Sequence, residues 1–395
     1  MLLSLSYIFL IGLTLGGLMK RLKLPPLLGM LMAGVVLGPY GLNQIAPEIL
    51  FIAKDLRQIA LIIILTQAGL SLDLTDLKRV GRPALLMSFV PATFEMVAIT
   101  LLGPLLLGLS LLDSAILGAV LAAVSPAVVV PRMLRLMHEG IGTQHRIPQM
   151  IMAGASIDDI YVIVIFSSLL GMAQGTGFET LRLVWVPLSL LVGAGVGVGV
   201  GLGLIHYFKR VHVRDTVKVL VLLGVSFMMV NLETFLEGIL PFSGLLAIMA
   251  VGLTILEKYP VLAKRLASKF SKSWVGAELM LFVLVGSAVD LRYLTVAGFS
   301  AVALVLLGLV VRSVGVWLCQ LNTPLTRNEK IFTAMAYWPK ATVQAAIGSV
   351  PLALGLASGN SILAVAVVAI LLTAPLGALA IDYGSKRLLS RDIHR

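Results

Sequence analysis

Thirteen apolar segments of roughly bilayer-crossing length follow one another along this chain and leave little of it for anything else. They lie near 2–19, 24–40, 58–72, 83–108, 113–131, 147–171, 182–207, 216–236, 240–256, 275–289, 293–319, 330–350 and 360–383. A helix crosses about 30 Å of hydrocarbon in roughly 20 residues. Inside hydrocarbon every backbone polar group must bond within the protein, which leaves the helix as the form for such segments. Composition agrees: 59% of residues are apolar and only 12% charged, with a mean hydropathy of +1.03. Soluble domains carry about 25% charged residues. A soluble enzyme, a disordered scaffold and a secreted disulfide protein are therefore excluded. The single cysteine, Cys319, permits no internal bridge and reads as a small core residue. The first segment has no basic residue before it and is followed by Lys20, Arg21 and Lys23, so it reads as a span and not as a cleaved signal.

The net charge of +11 would suggest nucleic acid in a soluble protein, but its distribution argues otherwise. With thirteen spans, one side of the membrane receives Lys20, Arg21, Lys23, Lys78, Arg79, Arg82, Arg132, Arg135, Arg146, Lys209, Arg210, Arg214 and Lys218. It also receives Lys258, Lys264, Arg265, Lys269, Lys272, Arg327, Lys330, Lys386, Arg387, Arg391 and Arg395, in all 24 of the 30 Lys and Arg. The other side holds Lys54, Arg57, Arg182 and Arg292. Basic loops face the cytoplasm, which predicts an external N-terminus and a cytoplasmic C-terminus. A wrong span count would have scrambled the bias. The compact chain suits a bacterial inner membrane.

The two halves echo each other. Leu24-Pro25 recurs as Leu240-Pro241, and Ala33-Gly34 as Val251-Gly252. The stretch Ala68-Gly-Leu-Ser-Leu-Asp-Leu74 recurs as Val285-Gly-Ser-Ala-Val-Asp-Leu291, Glu95 matches Arg312, and Pro126 matches Pro339, all at offsets of 213–218. That offset spans seven segments. An odd number inverts each helix relative to its mate, which predicts two inverted-topology repeats. In such folds ions bind at mid-membrane, where helices are broken. Two segments carry the marks of a break: Val120-Leu-Ala-Ala-Val-Ser-Pro-Ala-Val-Val-Val-Pro131 and Tyr337-Trp-Pro-Lys-Ala-Thr-Val-Gln-Ala-Ala-Ile-Gly348. Proline removes an amide donor and disturbs the preceding turn, although a proline kink by itself is ordinary in membrane helices.

Five ionisable residues fall inside the segments: Glu95, Asp158, Asp159, Arg312 and Lys340. Charges there are costly and face a partner, a cavity or an ion path. Two adjacent carboxylates disfavour double ionisation, so Asp158 and Asp159 can hold a proton or exchange it for a hard cation that prefers oxygen ligands. Ser156, Ser125 and the Val124 carbonyl freed near Pro126 are further candidate ligands. The competing reading of the pair is a hydrogen-bonded helix contact, which one serine or amide would provide at lower cost. Glu95 and Arg312, as repeat mates, read as a buried pair with a structural or gating role, or as part of the ion site. Lys340, with Thr342 beside it, would neutralise the partial negative charge of half-helix C-termini or pair with Asp158. His138, His145, His206, His212 and His394 fall in or near basic loops, where they are solvated or sense pH.

At these residues the chain resembles the monovalent cation:proton antiporter superfamily, and within it the sodium/hydrogen exchanger group of solute carrier family 9B and its bacterial relatives. The carrying motifs are Leu24-Pro-Pro-Leu-Leu-Gly-Met-Leu-Met-Ala-Gly34, Val124-Ser-Pro-Ala-Val-Val-Val-Pro131, Ala155-Ser-Ile-Asp-Asp159 and Trp338-Pro-Lys-Ala-Thr-Val-Gln-Ala-Ala-Ile-Gly-Ser-Val350. They span nearly the whole chain. The resemblance implies an all-α fold of about thirteen transmembrane helices with two broken crossover helices, assembled as a homodimer in lipid. It implies scaffold helices over 1–73, a transporting core over 74–172, a linker and scaffold over 173–292, a second core half over 293–384 and a short tail over 385–395. The segment holding Gly193, Gly195, Gly197, Gly199, Gly201 and Gly203 would link the halves. Asp159 matches the family's ion- and proton-binding aspartate, Asp158 its acidic neighbour, and Glu95 with Arg312 the group's Glu–Arg pair. Other two-aspartate members carry lysine where Arg312 stands. Arginine cannot surrender a proton, so Arg312 points to electroneutral exchange, while two aspartates are the usual mark of electrogenic members.

The expected function is Na⁺ or Li⁺ exchange for protons by alternating access, with no cofactor, no enzymatic activity, no nucleic acid and no nucleotide-binding regulatory domain. The last of these speaks against the glutathione-gated potassium efflux relatives. K⁺/H⁺ exchange on the same fold and sodium-coupled symport of an organic solute are the alternatives; symport needs a larger polar pocket than the mid-membrane residues offer. An intramembrane aspartyl protease needs carboxylates from two helices flanking a water, which adjacent residues on one helix do not supply.

Overall fold

The structure is a computed structural model, and it describes every residue except 72–80, 175–179, 212, 237–239, 241 and 392–395. Asp73 and Pro241 of the repeat pattern, Lys78, Arg79, His212, His394 and Arg395 lie outside the described residues. Among the described residues the regular elements are all helices. The helices are α1 (Leu2–Arg21), α2 (Pro26–Leu37), α3 (Pro47–Phe51), α4 (Ala53–Ser71), α5 (Arg82–Met87), α6 (Val90–Leu107), α7 (Leu111–Ala122), α8 (Pro126–His138) and α9 (Ile147–Gln174). They continue with α10 (Thr180–Arg210), α11 (Asp215–Phe235), α12 (Gly244–Lys258), α13 (Pro260–Ser287), α14 (Leu291–Cys319), α15 (Arg327–Ala336), α16 (Thr342–Gly348), α17 (Val350–Ala353) and α18 (Gly359–Leu388).

Among the described residues, nine helical stretches are long and apolar enough to cross a membrane, and Pro26–Leu37 and Thr342–Ala353 are shorter apolar helices. Large apolar side chains such as Leu10, Leu105, Leu191 and Leu220 are exposed along them, as hydrocarbon solvent permits. This is an integral membrane protein.

Both proline-bearing segments are broken. Between α7 and α8, residues 123–125 leave the helix. Ser125 is extended (φ −88°, ψ 110°) and Pro126 opens α8 at its first turn, where its missing N–H would have had no partner anyway. Between α15 and α16, residues 337–341 are non-helical, with Pro339 inside the gap. The close approach of α18 sets the shape of this second gap: a Cβ added at Gly377 would overlap the Pro339 ring.

The chain forms two compact units. One comprises Met1–Lys54, Asp73–Phe166 and Leu281–Arg395, and the other Asp55–Leu72 and Ser167–Met280. In the first, α6 packs along α7 and α14, and α18 packs against α7, α8 and α14–α17. Val124, Val129, Met133, Ile151, Phe332, Tyr337 and Ile381 form part of its core. In the second, α12 packs against α10 and α11 around Leu204, Phe208, Leu222, Ile255, Leu266 and Phe270. Here the glycines of α10 divide into two rows. Gly193, Gly197 and Gly201 sit against Ser243, Ala247 and Thr254, whereas Gly195, Gly199 and Gly203 on another face meet nothing within 4 Å.

Candidate functional site

The two helix breaks touch each other. The Ser125 amide donates to the Pro339 carbonyl across 2.8 Å. The last carbonyls of α7 have no partner within their own helix and carry the negative end of its dipole. Each finds a donor from the second half of the chain. Leu121 O accepts from Lys340 Nζ at 2.6 Å, Ala122 O from Arg312 Nη1, and Ala123 O from Gln344 Nε2 at 2.7 Å. Gln344 turns its other end back to its own helix, where Oε1 accepts from the Ala341 amide at 2.8 Å and caps α16. The Lys340 amide is held at 3.0 Å by Thr373 Oγ1 on α18.

Four charges interlock at this crossing, all fully buried. Arg312 Nη1 donates to Glu95 Oε2 at 2.9 Å, and Nη2 donates to Asp158 Oδ2 at 3.1 Å. Lys340 Nζ lies 2.8 Å from both oxygens of Glu95, with its hydrogen bond directed at Oε2. The Val124 amide, from the first break, donates to Asp158 Oδ2 at 2.8 Å. Arg312 also stacks over the Tyr337 ring, 5.4 Å from its centroid. Burying an ion costs several kcal/mol, and only close pairing with further hydrogen bonds offsets this. Two cations and two carboxylates meet that requirement here, and their formal charges cancel.

Asp159 is the fifth ionisable group and stands outside this balance. Its Oδ1 is buried with no hydrogen-bond partner among the described residues, as is Oδ1 of Asp158. Two hydroxyls at the breaks are in the same condition: Ser125 Oγ, and Thr342 Oγ1 at the first residue of α16. Buried polar atoms are nearly always satisfied. Unpartnered oxygens beside two helix breaks are the donor set that a hard monovalent cation or a proton would use.

The structure thus brings Glu95, Val124, Asp158, Arg312 and Lys340 into one bonded network, with Ser125 and Thr342 at its edges. Val124 meets Asp158 through its amide; the sequence had suggested its carbonyl as a ligand. Lys340 pairs with Glu95 and the α7 carbonyls, not with Asp158. Ser156 lies on α9 two residues before Asp158, and its side chain lies outside what the structure describes. Sequence reasoning passed over Gln344, Thr373 and Tyr337. Gln344 stands inside the Pro-Lys-Ala-Thr motif, and an amide four residues from a buried lysine was the available signal. Thr373 is a lone hydroxyl in an apolar run, which no sequence pattern distinguishes.

The sodium/hydrogen exchanger family profile (Sodium/hydrogen exchanger, transmembrane) matches residues 6–382. The chain is 34% identical to human sodium/hydrogen exchanger 9B2, over 99% of this chain and 75% of that protein. It is 33% identical to the mouse 9B2 exchanger (94% and 70%) and 32% identical to human sodium/hydrogen exchanger 9B1 (93% and 73%). Its fold is similar to that of the sodium proton antiporter MjNhaP1 from Methanocaldococcus jannaschii, with a TM-score of 0.84 over 98% of this chain and 99% of that one at 20% identity. A profile match over nearly the whole length and relatives above 30% identity place it beyond a shared architecture: this chain belongs to the transmembrane sodium/hydrogen exchanger family, in the monovalent cation:proton antiporter superfamily, within the 9B group.

Proposed function

We propose that this chain is a secondary active antiporter that exchanges Na⁺ or Li⁺ for a proton, with Asp159 and Asp158 as the shared site. The observation that carries this reading is the charge balance of the buried cluster. Glu95 and Asp158 are matched by Arg312 and Lys340, and Asp159 is the carboxylate left over. An uncompensated buried charge is costly, so Asp159 is occupied either by a proton or by a monovalent cation. The two exclude each other. With the site open to one side, a cation displaces the proton; the core then moves, the cation leaves on the other side, and a proton takes its place. Ser125 Oγ, Thr342 Oγ1 and the free oxygens of Asp158 and Asp159 supply oxygen ligands of the kind hard cations take. Ser156 belongs to the same proposal as a neighbouring hydroxyl.

The network also supports a one-for-one stoichiometry. Arg312 holds its proton under all accessible conditions, and Lys340 is locked to Glu95 and Leu121 O. Neither has to release a proton when the cation binds. The moving core is assigned to α5–α9 and α14–α18. The basic ends are assigned to the cytoplasm by the 24-to-4 distribution of Lys and Arg. A homodimer is assigned from the open glycine row Gly195, Gly199 and Gly203, whose spacing suits close approach of a second helix in lipid.

The test is ΔpH-driven exchange in proteoliposomes, adding Na⁺, Li⁺ and K⁺ in turn. Sodium- or lithium-dependent collapse of ΔpH that Asp159→Asn abolishes is the expected result. Full exchange by Asp159→Asn would overturn the site. Collapse with K⁺ alone would move the assignment to K⁺/H⁺ exchange.

A further inference from the structure

Tyr337 ends α15, at the edge of the second break, and its ring and its hydroxyl have different surroundings. The ring is fully buried in the apolar core with Met87, Val124, Ile151 and Ala155, and the Arg312 guanidinium stacks on it. Phenylalanine would do all of that. The hydroxyl has no such use: Oη is buried with no hydrogen-bond partner among the described residues. Another tyrosine, three residues beyond Asp158, gives the contrast. Tyr161 Oη lies 2.8 Å from Thr93 Oγ1, a normal hydrogen bond. Leaving a buried hydroxyl unmet is costly, and a buried tyrosine ordinarily finds a partner for it.

Space is kept for this hydroxyl. Gly154 on α9 faces it, and a Cβ there would overlap Oη and press on Met87. Glycine weakens a helix interior, so the close approach gives this glycine its physical reason. Gly154 stands four residues before Asp158, one turn away on the same face, which puts Oη about 6 Å along the helix axis from the aspartate pair. The start of α9 follows Arg146 and α15 opens with Arg327, so the hydroxyl lies on the side of the pair nearer the basic end. The other unmet hydroxyls of the site, Ser125 Oγ and Thr342 Oγ1, stand at the breaks themselves.

We infer that Tyr337 Oη is a further ligand of the transported cation, the oxygen that meets it on the basic side of Asp158 and Asp159, and that Gly154 is the residue that makes room for it. A phenolic oxygen has lone pairs for a hard cation while its proton donates elsewhere. It is neutral, so it strengthens cation binding without altering the charge balance that leaves Asp159 over. The ring and the hydroxyl thus divide the work: one supports Arg312, the other binds. The inference deepens the antiport reading and rests on it for the identity of the ligand.

The deciding variant is Tyr337→Phe, which keeps the ring, the core packing and the Arg312 stack. Initial rates of ΔpH collapse against Na⁺ and Li⁺ concentration are expected to give a KM raised about fivefold, the equivalent of one lost hydrogen bond. The maximal rate should stay within about twofold of wild type, the signature of lost binding alone. Melting in detergent without the cation should be unchanged or higher, since an unmet hydroxyl is gone. A merely structural role would move melting and maximal rate instead. Wild-type KM for both ions in Tyr337→Phe would overturn the assignment, as would an equal rise in Tyr161→Phe, which is expected to keep the wild-type KM. Gly154→Ala is expected to lower melting and raise KM. Adding Tyr337→Phe to it should restore melting and leave KM at the Tyr337→Phe value; a double variant that melts no higher than Gly154→Ala would overturn the role of the glycine. A second readout needs no transport. A cation that binds the native state raises its melting temperature once its concentration passes the dissociation constant. The Na⁺ concentration at which this rise begins should be about fivefold higher in Tyr337→Phe. A wild type that exchanges nothing but shows this shift would overturn the antiport reading and leave the ligand standing. Normal exchange with neither KM nor onset moved would overturn the ligand alone.

Discussion

Asp158 and Asp159 are neighbours in sequence, yet their surroundings assign them different work. Asp158 accepts from Arg312 and the Val124 amide, so part of its charge is committed to holding the first break against α14. Among the described residues Asp159 has no such commitment. Asp158→Asn should therefore lower stability, since truncating one side of a buried ion pair leaves the other charge unmet at a cost of about 3–5 kcal/mol. Asp159→Asn should leave melting unchanged or raise it, and abolish exchange. Thermal melting alongside flux separates the two; equal loss of stability in both variants would sink the distinction. Glu329 offers a pH test with a definite sign. Burial pushes its carboxyl up, but the His145 hydrogen bond, the Thr326 amide and hydroxyl and the His145 charge outweigh it and hold the group below its ordinary value. A depressed native pKa contributes stability that is complete above the unfolded value of about 4.3 and is lost as pH falls through the native one. Glu329→Gln should remove that acid-side loss, read as a flatter melting temperature below about pH 4.5. The charged residues of the cluster stood out in the sequence because hydrocarbon makes every ionisable group conspicuous. Gln344 and Thr373 did not, because a neutral polar side chain in an apolar run carries no comparable cost.

The broken helices are the elements on which the site is built, and they are stabilised from outside themselves. Neither gap has a backbone ladder of its own. The α7 carbonyls depend on Lys340, Arg312 and Gln344, and the second gap on Thr373 and on the close passage of α18 at Gly377. Gln344→Leu should leave the Ala341 amide and the Ala123 carbonyl unmet, at about 1–3 kcal/mol for each buried group. Gly377→Ala should push the Pro339 ring out of place and cost about 1–3 kcal/mol by overpacking, with exchange reduced more than tenfold. Melting and initial rates of ΔpH collapse check both; wild-type rates from Gly377→Ala would show that the shape of the second gap is not critical. The positions of both gaps were legible from Pro126 and Pro339, because a missing amide is a local property. What the gaps bond to was not, since the α7 carbonyls meet partners 190–221 residues away and the Lys340 amide meets one 33 residues away, distances that no local pattern records.

For the whole molecule, the proposed one-for-one exchange predicts a rate indifferent to membrane potential. Clamping voltage with valinomycin and K⁺ should leave Na⁺-driven ΔpH collapse unchanged, whereas acceleration by the clamp would show net charge movement. The open row on α10 predicts that Gly199→Trp converts a dimer to a monomer, read as a halved protein mass by light scattering in detergent. An unchanged mass would place any dimer contact elsewhere. The sequence by itself determined the class of molecule: apolar segments of bilayer length can only be helices in hydrocarbon, and intramembrane charges mark the region that matters. It determined where the helices break, for the same local reason. Only the tertiary structure decided which charge meets which. Lys340 goes to Glu95, Arg312 forks between Glu95 and Asp158, and Asp159 is left unmatched among the described residues. Coulombic pairing depends on distances of a few ångströms between helices far apart in the chain, and no periodicity along one helix records where another will cross it.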